Sequence, residues 1–65
     1  MAVLKYIMVV GRTIANEGYV YGQDSSGYWG RRIKDQPQLP FVWILEKDVP
    51  DAVHHDICTI KRTAA

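Results

Sequence analysis

The four residues Asp24-Ser25-Ser26-Gly27 constrain this chain more than any other stretch, because they set a hairpin and with it a register. Asp suits the first position of a type I turn, and Gly27 supplies the positive φ that a G1 bulge needs and a Cβ resists. Counting outward from the bulge, Asp24 falls opposite Tyr28, Gln23 opposite Trp29 and Gly22 opposite Gly30. Tyr21 then faces Arg31, Val20 faces Arg32 and Tyr19 faces Ile33. Facing residues share a side of the sheet. One side therefore carries Tyr19, Tyr21, Gln23, Trp29, Arg31 and Ile33; the other carries Val20, Gly22, Asp24, Tyr28, Gly30 and Arg32. The first side has the larger apolar area and is expected to point inward or against a partner subunit, leaving Arg32, Tyr28 and Asp24 outward. On the second, Gly22 and Gly30 leave a bare spot that invites a bend, a packed side chain or a closely approaching ligand.

The remaining segments read mainly as strands. Residues 2 to 10, AVLKYIMVV, are apolar on both alternating sets, as in a strand that is central to a sheet or caught in a barrel or subunit interface. Gly11 permits a bend, residues 12 to 15 prolong the strand, and Asn16-Glu17-Gly18 forms a turn into the hairpin. Lys34 to Pro40 is a polar connector with two prolines, which can also act as a lip over a groove formed with the hairpin. Phe41 to Lys47 is a further strand, apolar on both sides. Pro50 with Asp51 starts a helical turn over about Pro50 to His55, and Ile57 to Thr63 reads as a closing strand. The fold class is all-β, or β-rich with one short helical turn. Four to five strands would form a small antiparallel sheet or an SH3-like or OB-like barrel over one domain, residues 1–65.

Size and charge narrow the function. A chain of 65 residues buries only about 60% of the surface its unfolded form exposes, so outside support is expected. Cys58 is the only cysteine, so no disulfide within the chain can supply it, and a reducing cytoplasm is the expected setting. With 48% hydrophobic residues, a homo-oligomer is expected. The formal charge of +1 gives no chain-wide footprint for nucleic acid, and the apolar run at the start lacks a basic flank and is too short for a bilayer. The chain is therefore expected to be soluble, without a membrane partner.

His54, Asp56 and Cys58 would share one side of an extended strand and are competent zinc ligands, yet no second cluster completes a four-ligand site. Read as a Cys-His nucleophile pair, the same residues would need an orienting group and an oxyanion site, in a chain too small to enclose a substrate cleft. At a helix end the two His would simply complement the dipole, with Cys58 a small buried hydrophobe. No glycine pattern cradles phosphate. Neither enzyme, metal nor cofactor is expected.

The hairpin supplies the candidate binding residues: Tyr21, Tyr28, Trp29, Arg31 and Arg32. Aromatic faces and guanidinium forks dominate protein interface hot spots. They also stack on bases and grip phosphates, so a nucleotide or single-stranded nucleic acid is the alternative partner, with a site that could form between subunits. The first expectation is a small protein that binds another protein, in the format of an inhibitor or adaptor, phage-encoded anti-host or anti-defence proteins included. A structural subunit of a larger assembly is the third.

Overall fold

A computed structural model describes residues 6–64, with side chains through Thr59. Strand β2 (Ile14–Asn16) and strand β3 (Tyr19–Gln23) are joined by Glu17-Gly18. Both residues have positive φ, 46° and 88°, the combination that lets a two-residue turn follow the right-handed twist of its strands. The next hairpin joins β3 to β4 (Trp29–Ile33) through the turn expected from the sequence. The Gly27 amide donates to the Asp24 carbonyl at 3.1 Å, the Asp24 amide donates to the Tyr28 carbonyl at 3.0 Å, and Gly27 has φ 92°. The Asp24 carboxylate locks the loop further by accepting from the Ser26 and Tyr28 amides, each at 2.9 Å. The pairing from Tyr19 opposite Ile33 to Gln23 opposite Trp29 matches the register derived from Gly27.

After the 34–40 connector, β5 (Phe41–Ile44) pairs with β4, and the short strand β1 (Tyr6–Ile7) pairs with the outer side of β5. The result is one antiparallel sheet in the order β1-β5-β4-β3-β2. It is not closed into a barrel: β1 and β2 stand at opposite edges. The segment between them crosses the sheet, tied by the Val10 amide to the Gln23 carbonyl at 3.1 Å. The run 2–10 is thus not a central strand. Its described part forms only an edge strand at Tyr6–Ile7, and residues 2 to 5 lie outside the described residues.

The crossing segment lies where the two glycines leave room. A Cβ added to Gly22 would sit 2.5 Å from Val9 Cγ1, and one added to Gly30 would sit 2.6 Å from Ile7 Cδ1. The bare spot is filled by the chain's own aliphatic side chains.

Two further expectations are corrected. The strand beginning at Phe41 stops at Ile44, and Glu46–Asp48 form a 3₁₀ turn. The helical turn near Pro50 continues as helix α1 (Asp51–Ala64), so the span 57–63 is helix and not a closing strand. β-branched residues there favour extended backbone only weakly, and packing overrides the preference. Val53 and Ile57, one helical turn apart, both reach the sheet. With Tyr21, Trp29 and Val49 they make the core, and Val53 is 0% exposed. Each such side chain contributes about 1.5 to 3 kcal/mol when fully buried.

A candidate binding groove

The register of the five strands decides which side chains meet. Tyr6, Val42, Arg31, Tyr21 and Ile14 form one row across the whole sheet, on one face. On one side of this row lie Ile44, Trp29 and Gln23; on the other lie Ile33, Tyr19 and Asn16. Helix α1 packs over the first of these areas, burying Tyr21 (3% exposed) and Trp29 (4% exposed). Trp29 meets the His54 ring at 5.0 Å between centroids, near edge-on, a favoured aromatic geometry. His54 Nε2 in turn lies 3.3 Å from the Glu46 carbonyl, tying the helix to the 3₁₀ turn when that nitrogen carries the proton.

The helix stops short of the rest of the face. There a groove of about 330 Å³ opens, lined by Tyr6, Tyr19, Arg31, Ile33, Val42 and Ile44, with Leu39, Pro40 and Arg32 at its sides. Leu39 and Pro40 bring the connector to the lip position considered from the sequence. Ile33 and Val42 are 48% and 44% exposed, so the groove floor is apolar and open to solvent.

Tyr19 separates the two areas. Its ring packs against Tyr21 at 6.2 Å between centroids, and the Arg31 guanidinium lies over it at 4.3 Å. This cation-π contact holds the Arg31 fork at the groove wall while leaving its edge free to donate. Arg32 points to the other face, with its guanidinium 5.5 Å from the Phe41 ring centroid, and its Nη1 donates to the Ile33 and Lys34 carbonyls at 3.1 and 3.3 Å. Among the described residues no acidic side chain lines the groove.

The five hairpin candidates are therefore divided. Tyr21 and Trp29 belong to the core and offer no surface to a ligand. Tyr28 is exposed but sits at the turn end of the hairpin, outside the groove. Arg31 and Arg32 alone line it. Tyr6, Tyr19, Ile33, Leu39, Pro40, Val42 and Ile44 complete the site, and sequence reasoning did not assemble them. Turn chemistry fixes the register of β3 on β4, whereas the long connector before Phe41 leaves the register of β5 unspecified. Pairing hydrophobic Val42 with Arg31 therefore had no signal in the sequence.

His54, Asp56 and Cys58 do not all share one side, because on a helix Asp56 diverges from His54 and Cys58, which stand one turn apart. His54 packs on Trp29, Asp56 pairs with His55 at 3.5 Å on the surface, and Cys58 is exposed, where it had been expected to be buried. Among the described residues, no group of three or more His, Cys, Asp or Glu is placed to hold a metal ion. No described helix is long and apolar enough to cross a membrane. The chain matches no protein-family model, no curated protein and no solved structure.

Proposed function

We propose that this chain is a non-catalytic protein-binding module that receives part of another protein in the open groove beside α1. The observation that carries the proposal is the exposed pair Ile33 and Val42 on the groove floor, walled by Tyr6, Leu39 and Pro40. Contiguous apolar surface with a polar rim is a common mark of an interaction site, since leaving it in water forgoes burial worth about 25 cal/mol per Å². The arginines at its side supply the polar rim. The free Cys58 thiol suits a cytoplasmic setting, where thiols stay reduced.

A nucleotide is the second candidate, favoured by the Arg31 guanidinium stacked on Tyr19. That stack offers one cation, while the Tyr19 face it covers is no longer open to a base.

A photo-crosslinking residue at position 33, compared with one at the exposed position 47 on the 3₁₀ turn, tests the proposal in the source cells. One discrete protein adduct from position 33 and none from 47 is the expected outcome. Equal labelling from both positions, or none from 33, removes the proposal.

A further inference from the structure

We infer that the groove's occupant is an extended acidic-apolar peptide segment of the partner, with apolar side chains on Ile33, Val42 and Tyr6 and a carboxylate on Arg31. This rests on the protein-binding function proposed above and adds the chemistry of what is bound.

Charge complementarity carries the inference. Among the described residues the lining contains two arginines and no acidic residue. Among the described residues neither arginine has a carboxylate within ion-pair distance, the one such pair being His55 with Asp56. The two arginines play different parts. Arg32 borders the groove but turns its guanidinium toward Phe41 on the other face and spends Nη1 on two backbone carbonyls. Among the described residues Arg31 makes a ring contact and no hydrogen bond that would occupy its fork. Because Tyr19 pins that fork in place, little side-chain entropy remains to be lost when a carboxylate binds it in two-pronged fashion.

Size and lining select the class of partner. A volume of about 330 Å³ is at the small end for ligand sites, enough for two or three side chains. Its floor is aliphatic, through Ile33, Val42 and Ile44. Single-stranded nucleic acid needs successive open aromatic faces along a basic track. Here Tyr21 and Trp29 lie under α1 and Tyr19 is covered by Arg31, which leaves Tyr6 alone among the groove aromatics. A segment that turns apolar side chains and a carboxylate to the same side, at every second residue, matches both the floor and Arg31, which is paired with Val42 on one face.

The test is a titration of the isotope-labelled full chain, followed by amide chemical shifts, with two synthetic pentapeptides: acetyl-Leu-Ser-Glu-Ser-Phe-amide, whose Leu, Glu and Phe share one side when extended, and the same peptide with lysine at the acidic position. The acidic peptide should shift the Tyr6, Ile33 and Val42 amides, and the lysine peptide should bind at least about tenfold more weakly, the effect of one charge-assisted hydrogen bond. Arg31→Gln should bring the two peptides to within about threefold of each other, on the same basis, while keeping the dispersed spectrum of the folded chain. The peptide comparison on the unaltered protein decides the matter even if that variant does not fold.

Equal binding of both peptides would overturn the charge inference and leave the protein-binding function standing. Failure of both, alongside a discrete crosslink from position 33, would do the same. Tighter binding of an oligothymidylate at these amides would overturn both proposals in favour of nucleic acid. Shifts that follow protein concentration alone, and that the acidic peptide does not reverse, would assign the groove to a second copy of the chain and overturn the inference.

Discussion

The two halves of one sheet face are built from the same strands and treated in opposite ways. In the half around Trp29, Tyr21 and Ile44, α1 supplies Val53 and Ile57, and the aromatic side chains vanish from solvent. In the half around Val42, Ile33 and Tyr6, the side chains are as apolar but nothing in the described chain covers them. Apolar composition alone therefore does not make a core. What decides is whether a second element reaches over, and α1 packs on the first half. Tyr19 and Ile44, which touch both areas, mark the boundary.

Breaking the covered half should have the largest effect. A 65-residue chain has roughly 3 to 10 kcal/mol of total stability at typical values per residue. Trp29→Ala should remove about 3 to 5 kcal/mol, enough to populate the unfolded state at room temperature. Collapse of the amide spectrum and loss of the urea transition would register it. A folded Trp29→Ala protein with an unshifted urea midpoint would mean that the helix does not depend on the sheet.

An intermediate effect is expected behind the covered half. Gly22→Ala would place a methyl 2.5 Å from Val9 Cγ1, on a branched side chain with little room to rotate, so the crossing segment must lift. Overpacking of this kind costs about 1 to 3 kcal/mol, visible as a lower urea midpoint with an unchanged slope. An unchanged midpoint would show that the crossing segment adds little to the sheet it spans.

The smallest effect belongs to the open half. Val42→Ser should change stability by no more than about 0.5 kcal/mol, since no described residue packs on it from above. A loss comparable to that of Gly22→Ala would erase the distinction between the halves.

The parts legible in the sequence were those governed by local chemistry. Gly27 and Asp24 fixed one turn, Asn16 to Gly18 another, and alternation from the first turn put Tyr21 and Trp29 together on the inward side. Ile33, placed by the same alternation on the face expected inward or against a partner subunit, is exposed within the chain because the helix does not extend that far. The other losses were also matters of tertiary arrangement. The span 57–63 satisfies strand propensity residue by residue, and only the helical spacing of Val53 and Ile57 against the sheet reverses it. The groove depends on β5 aligning with β4, a choice made by packing across a connector that carries no turn signature.

The glycines at 22 and 30 also govern how thick the molecule can be. Elements stacked face to face ordinarily stand about 10 Å apart, a distance set by the side chains between them. Where one surface has no side chains, the covering element can settle nearly a methyl's width closer. A single extended segment, far slimmer than a helix, then serves as the outer layer of the sheet. Strap, sheet and helix can thereby be stacked three deep in a chain whose length would ordinarily support two.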